Sequence, residues 1–227
     1  MNDYALETVD LTKIYRTAAA EVEALVDASL QVRKGESIAI MGPSGSGKST
    51  FLSMIGLLDK PTKGEVIIDG VATSRLRDDG ITRIRRERIG FIFQQYNLIS
   101  TLTARENIQL PLYLQGRSIE DINRQISTIV KRFDLEERFL EHFPAQLSGG
   151  QQQRIAIARA LVSDPAIVLG DEPTGNLDSK TSDQTMDLLE ELHDSMGLTL
   201  ITVTHDPEVA KHMERIATIK DGRLYEE

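Results

Sequence analysis

The sequence predicts an α/β fold built on a mainly parallel sheet, and three observations lead there. Late in the chain, apolar runs of strand length alternate with a long helical pattern: Ala166–Leu169, a helix from about Ser179 to Met196, then Thr199–Val203. Such alternation means a parallel sheet covered by helices. A glycine-rich loop, Gly42 to Thr50, joins the apolar strand Ser37–Met41 to an apolar helix. Finally, four buried-strand candidates end in polar residues. Ser37–Met41 leads into the loop, Ile89–Phe93 into Gln94, Ala166–Leu169 into Asp171 and Glu172, and Leu200–Val203 into Thr204 and His205.

Taken in order, Leu6 to Tyr15 and Ala28 to Val32 read as strands, with Lys34-Gly35-Glu36 as a turn before the third. Phe51, Leu52, Met54, Ile55 and Leu58 recur at helical spacing after the loop. Glu65 to Ile68, then Asp69-Gly70 and Val71, is a hairpin signal. The middle of the chain turns helical. Thr103-Ala104-Arg105-Glu106 fits a capping box opening a helix in which Pro111 predicts a kink. Ser118 can cap a helix whose stripe is Ile119, Ile122, Ile126, Ile129, Val130 and Phe133. No repeat, low-complexity tract or linker interrupts the chain.

The 227 residues suffice for one domain with a subdomain, and 40% hydrophobic content supports a core. With no cysteine, disulfides and thiolate metal sites are excluded. A net charge of -9 argues against a nucleic-acid backbone as the main partner. No apolar run approaches the roughly 20 residues that span a bilayer. The opening MNDYALETVD has neither the basic nor the apolar region of a signal peptide. A soluble chain is expected, with any membrane role exerted through a partner.

Gly42 to Thr50 reads G-P-S-G-S-G-K-S-T, the phosphate-binding pattern G-x-x-x-x-G-K-[ST] in a strand-loop-helix context. Its residues, Gly42, Pro43, Ser44, Gly45, Ser46, Gly47, Lys48, Ser49 and Thr50, are the candidate cradle. Glycines let backbone N–H groups turn inward around phosphate oxygens. Lys48 adds a point charge for the β- and γ-phosphates, and the Ser49 hydroxyl is placed for Mg²⁺. The helix start points its positive end at the same anion. Ligands bind beyond the carboxyl ends of strands in open α/β sheets. If the four strands lie side by side, their polar ends converge on one nucleotide. Asp171 would then hold Mg²⁺, usually through water, and Glu172 would polarise the attacking water. Leu147-Ser148-Gly149-Gly150-Gln151 opens a second glycine-bearing helix. Either it is an ordinary glycine cap, or it is a second phosphate cradle that closes the nucleotide of a head-to-tail partner.

Along essentially its whole length the chain resembles the ATP-binding cassette (ABC) ATPases, the motor subunits of ABC transporters. Gly42–Thr50 matches Walker A, Gln94 the Q-loop, Leu147–Gln151 the LSGGQ signature, Val168–Glu172 Walker B, Gly175–Asp178 the D-loop and His205 the switch histidine. The resemblance implies one domain over 1–227. It would comprise a P-loop NTPase core with a mainly parallel sheet, an antiparallel β subdomain, and a helical subdomain inserted at about 97–160. It implies ATP and Mg²⁺ as cofactors, ATP hydrolysis coupled to transport, and an ATP-dependent homodimer. Tyr15 would stack on adenine, although a strand aromatic in the core is its other reading. Ser49 and Gln94 would ligate Mg²⁺, and Gln94 would report nucleotide state to the transmembrane partner. Ser148 and Gly150, with Gly149 and Gln151 beside them, would contact the γ-phosphate bound by the opposite subunit. Asp178 would communicate across the dimer, and His205 would bond the γ-phosphate and order Glu172. His142, His193 and His212 read as surface or packing residues. Gly170 stands where close relatives would carry alanine, which predicts a looser strand end but intact chemistry.

Arg85 to Leu98, Leu102 to Ile108 and Asp171 to Ser179 resemble the branch of lipoprotein release, macrolide export, antimicrobial-peptide resistance and cell-division complexes. There the ATPase pairs with a permease of few transmembrane helices and a large extracytoplasmic domain. A cytoplasmic protein, peripheral on the inner face of the membrane, is expected. A cell-division-type regulator or a soluble ABC ATPase are the alternatives; a plain kinase or GTPase fits poorly, since no N-K-x-D motif is present. Six arginines against three acids between Arg75 and Arg88 read as a solvated face, or as a surface for anionic headgroups or an acidic partner. With the given sequence ending soon after Asp221-Gly222, the C-terminal regulatory domain of some importer ATPases is not expected.

Overall fold

The computed structural model describes residues 3–16, 20–133 and 135–226; Met1 and Asn2 of the N-terminal stretch read above lie outside them. The elements run β1 (Tyr4–Arg16), β2 (Glu21–Arg33), β3 (Ser37–Met41), α1 (Lys48–Ile55), β4 (Lys63–Ile68), β5 (Val71–Ala72), α2 (Asp78–Arg88) and β6 (Ile89–Phe93). They continue with α3 (Ala104–Leu114), α4 (Ile119–Arg132), α5 (Glu137–Leu140), α6 (Gly149–Leu161), β7 (Ile167–Asp171), α7 (Ser179–Met196), β8 (Thr199–Thr204), α8 (Pro207–Lys211), β9 (Arg215–Lys220) and β10 (Arg223–Glu226).

Two sheets form. One is antiparallel, in the order β2-β1-β4-β5; the other runs β10-β9-β3-β8-β7-β6. In the second, every neighbouring pair is parallel except the edge pair β10 and β9. The four strands with polar ends therefore do lie side by side. Alternation along β3 sends Ile38 and Ile40 to one face and Ala39 to the other. The first face packs on α1 and the antiparallel sheet through Phe51, Leu6 and Val66. The second is covered by α3, α4, α6 and α7 through Ile108, Ile126, Ile157 and Leu189. Both faces of the sheet are thus apolar, which explains why its strands read as nearly continuous hydrophobic runs.

The local signals hold at most element starts. Thr103 and Glu106 make the reciprocal capping box, and Ser118 caps α4 by accepting from the Asp121 N–H. The helix of Thr103 runs through Pro111 to Leu114. Two details differ from the periodic reading. Ile119 is 69% exposed, because it occupies the first turn of α4 before the stripe reaches the core. Leu58 lies beyond the end of α1 and is exposed. One helix went unread: α2 buries no residue fully, and only Ile81 and Ile84 pack against the core. Its order reflects charge, with Asp78 and Asp79 in the first turn and Arg85, Arg86 and Arg88 in the last, as the helix dipole favours.

Candidate active site

The loop after β3 is backbone shaped by glycine. Gly42, Gly45 and Gly47 have φ of +152°, +77° and +111°. A Cβ on Gly42 would fall 2.2 Å from the Ile219 carbonyl, and one on Gly47 would fall 2.5 Å from the Ala24 carbonyl. α1 then begins with no side-chain cap and no acid in its first turn, so its leading N–H groups have no protein acceptor of those kinds. Lys48 is buried, and its Nζ donates to the carbonyls of Gly42 (2.8 Å) and Pro43 (3.0 Å). The buried Ser46 hydroxyl has no partner among the described residues. A cleft of about 860 Å³ opens over this loop. Pro43, Ser44, Gly45, Gly47, Lys48, Ser49 and Thr50 line it, with Glu172 and His205.

Sequence reasoning missed part of this wall. Val22, Glu23 and Ala24 of β2 and the turn Asp221-Gly222 also line the cleft. That turn clasps the loop: the Gly222 N–H donates to the Ser46 carbonyl (2.9 Å), and Val26 N–H donates to the Gly222 carbonyl (2.8 Å). The only signal was the Asp-Gly pair itself, which identifies a turn but not what it touches.

The opposite wall is the end of β7 and β8. Asp171 is half-buried; burial, then the neighbouring Glu172 charge, push its carboxyl above the ordinary aspartate range, with Lys48 opposing. Glu172 has φ +46°, a left-handed conformation unusual for a non-glycine residue and disfavoured ahead of proline. Such a conformer costs on the order of 1–3 kcal/mol and persists where its surroundings fix it. Here its N–H donates to the Val203 carbonyl (2.9 Å) and its carbonyl accepts from Gly175 N–H (3.0 Å). Its Oε1 lies 2.7 Å from His205 Nδ1. Gly170 lies within β7, paired with Ile92 and Thr202. Thr202 Oγ1 lies 3.0 Å from where a Cβ would stand.

Asp171, Gly42 and Ser46 stand behind the lining residues, and two further expected residues, Gln94 and Tyr15, also lie outside the cleft lining. The Gln94 side chain packs on the turn after Glu172, 2.7 Å from where a Gly175 Cβ would be, and Asn176 Nδ2 donates to the Gln94 main-chain carbonyl (2.9 Å). Tyr15 is 40% exposed, donates to Asp59 Oδ2 (3.3 Å) and carries Lys13 Nζ over its ring. It pairs in register with Val22, which does line the cleft.

Ser148–Gln151 builds a separate place. Ser148 caps α6, accepting from the Gln151 N–H (3.3 Å), while Gln151 Oε1 accepts from the Ser148 N–H (2.8 Å). Gly150 has no room for a side chain, because Thr181 Cγ2 lies 2.7 Å from its would-be Cβ. Ser148, Gly149, Gly150 and Gln151 line a second cleft of about 480 Å³ with Asn176, Leu177, Asp178 and Thr181. Asp178 caps α7. The Thr181 hydroxyl (2.7 Å), then the Thr181 N–H (3.1 Å), hold its carboxyl below the usual range. Among the described residues none lines both clefts.

These groups suit a magnesium nucleotide. A glycine cradle, uncapped helix N–H groups and a buried lysine match a polyphosphate. The Ser49 hydroxyl and the Asp171 carboxylate offer the oxygen ligands Mg²⁺ takes. His142, His193 and His212 lie elsewhere; His193 is buried with Nδ1 on the Leu198 carbonyl, and His212 meets Glu190. Asp187, Glu190 and His212 come within 4.8 Å of one another, away from both clefts. Among the described residues no helix is long and apolar enough to cross a membrane.

Comparison with known proteins agrees with this geometry. A family model described as "ABC transporter" matches residues 25–175. An uncharacterized ABC transporter ATP-binding protein of Methanocaldococcus jannaschii, MJ0796, is 52% identical over 221 residues, covering 96% of this chain and 94% of that protein. Its cassette has been solved as a dimer in a post-hydrolysis state bound to ADP and Pi; that structure matches with a TM-score of 0.88 at 50% identity, covering 96% of each chain. The lipoprotein-releasing system ATP-binding protein LolD of Legionella pneumophila (strain Lens) is 43% identical over 225 residues, 99% of each chain. The macrolide export ATP-binding/permease protein MacB of Hyphomonas neptunium is 45% identical over 96% of this chain, which spans 34% of that relative.

Proposed function

The chain belongs to the ABC transporter family, and from that premise we propose that it is the motor subunit that drives a separate permease of the export or mechanical-transmission type. It is an ATPase of the ABC kind, and the cassettes it resembles are dimeric. The observation that carries the reading is the separation of the two clefts. One holds Lys48, Glu172 and His205 and the other Ser148 and Asp178, with no residue in common. A protomer with one nucleotide cradle and one separate second cradle is completed by a head-to-tail copy of itself.

In this reading the loop Gly42–Thr50 binds the phosphates, with Lys48 leaving its loop carbonyls for them. Mg²⁺ would be held by Ser49, by Gln94 once its side chain turns away from Gly175, and, through water, by Asp171, and would neutralise charge on the phosphates. Glu172 takes the proton of the attacking water, and His205 fixes the carboxylate that does so. Gln94 packs on the Gly175-Asn176 turn, so a shift at that turn reaches the start of the helical region. Tyr15 stands directly across the β1–β2 ladder from Val22 of the cleft wall, beside which a stacked base would lie. Ser148 and Gly150 present the second cradle to the partner protomer, and Asp178 stands beside it.

The permease has a docking surface in this proposal. A groove of about 450 Å³ runs between α2, β6, α3 and α6, lined by Phe91, Phe93, Leu110, Pro111 and Leu114 and flanked by Arg85 and Arg86. Phe91 and Phe93 stack at 5.4 Å, and Leu114 is 60% exposed. An apolar groove with a basic rim, one residue from Gln94, fits a partner helix with acidic flanks. The protein would then lie on the cytoplasmic face of the membrane through that partner. LolD and MacB, named for lipoprotein release and macrolide export, favour a permease with few helices and a large external domain. Pull-down of tagged protein from native membranes, read by mass spectrometry, tests this. Recovery of such a permease is expected; recovery of ribosomal or DNA-bound partners instead overturns the transporter reading while leaving the ATPase.

A further inference from the structure

Gln153 is fully buried, with 0% of its surface accessible. A buried amide is unfavourable unless it is bonded. Its Nε2 donates to the Pro173 carbonyl at 2.5 Å, while its Oε1 has no partner among the described residues. A carbonyl can only accept, so the amide nitrogen must face Pro173. The single bond to Pro173 is what distinguishes this side chain from an apolar one of the same length.

Pro173 follows Glu172 directly. Lacking an N–H, it offers only its carbonyl as the next main-chain hydrogen-bonding group. Glu172 holds its left-handed φ through Val203, Gly175 and His205, as described above. Gln153 is the further tie, and it comes from another element. It stands on α6, whose first turn is the second cradle, two residues after Gln151.

We propose that Gln153 is a positioning residue for the base Glu172, joining the helix of the second cradle to the turn that aims the carboxylate. The proposal rests on Glu172 being the base. It gives a physical role to a side chain within the signature helix that touches neither cleft.

The test uses the full chain with Gln153→Met, which keeps length and removes the donor, and Gln153→Glu, which keeps shape and donates only when protonated. Steady-state ATPase, ATP titration and thermal melting are measured beside Glu172→Gln. Gln153→Met should lower kcat on the order of 10- to 100-fold, the effect of a misaligned reacting group, while KM for ATP stays close to wild type. The kcat of Gln153→Glu relative to wild type should rise as pH falls and the carboxyl regains its proton. Wild-type kcat in Gln153→Met overturns the proposal. So does a joint fall of kcat, ATP affinity and melting temperature, or a Gln153→Glu kcat that stays at wild type at a pH where the buried carboxyl has ionised. If Gln153→Met does not fold, the pH profile of Gln153→Glu decides. Full turnover in Glu172→Gln overturns the base assignment itself; an inactive Glu172→Gln beside a normal Gln153→Met overturns only the role of Gln153.

Discussion

His205 Nδ1 lies 2.7 Å from Glu172 Oε1, and the two residues come from the ends of neighbouring parallel strands, β8 and β7. The register that pairs Asp171 with Val203 brings them together. A carboxylate held by a ring nitrogen keeps one orientation, which a base needs. Glu172→Gln should therefore lower kcat by about 10²- to 10⁴-fold while ATP binding survives. The variant should accumulate as an ATP-bound dimer, visible by size exclusion. His205→Ala should lower kcat less, because the acceptor of the proton remains.

Lys48 is the one buried ammonium in the cleft wall. Its removal takes a charge-assisted contact from the phosphates, worth about 1.5–3 kcal/mol. Lys48→Ala should weaken ATP by roughly tenfold or more in a direct titration. Equal affinity would contradict the phosphate-loop reading.

Glycines of this loop differ in what they tolerate. Gly47→Ala combines φ +111° with a Cβ 2.5 Å from the Ala24 carbonyl. A loss of about 2–3 kcal/mol, roughly 5–10 °C in Tm, is expected together with weaker ATP binding. Gly45→Ala has φ +77° and nothing within 4 Å of its Cβ. Only the left-handed strain remains there, about 1 kcal/mol. Melting curves of the two variants should rank in that order.

Asp171 trades stability for function. Burial and the adjacent Glu172 disfavour its charged form in the folded chain, raising its pKa. A raised acid pKa means that folding favours the protonated form. Stability is then greatest below the unfolded aspartate pKa and declines as pH rises through the folded value. A neutral isostere removes this penalty at pH 7. Asp171→Asn should raise Tm, by roughly 2–4 °C for each 1 kcal/mol gained, and abolish Mg²⁺-dependent turnover. Calorimetry and an ATPase assay on the same preparation check both halves.

Much of the site was legible because its chemistry is local. The four strand ends, the glycine loop and the cap of Ser148 each lie within a few consecutive residues, so spacing reveals them. What escaped is held by long-range contacts. Gly222 reaches Ser46, Gln153 reaches Pro173 and Gln94 lies against Gly175, and none of these pairs leaves a pattern in one stretch of sequence. α2 escaped for another reason: its helix is specified by terminal charges and two half-buried isoleucines rather than by a full apolar stripe. Tyr15 shows the converse. Its place on a strand was legible, but its hydroxyl is bound to Asp59, a residue 44 positions away.

The central claim is that a working site is made of two protomers, because one chain places Lys48 and Ser148 in separate clefts. Mixing two inactive variants, Lys48→Ala and Ser148→Arg, tests it directly. In a head-to-tail heterodimer one site carries both lesions and the other carries none. Equal mixing then restores up to about a quarter of wild-type ATPase activity, since half of the dimers have one of two sites intact. If each chain acted alone, every site would stay broken, and a mixture no more active than either variant would contradict the account.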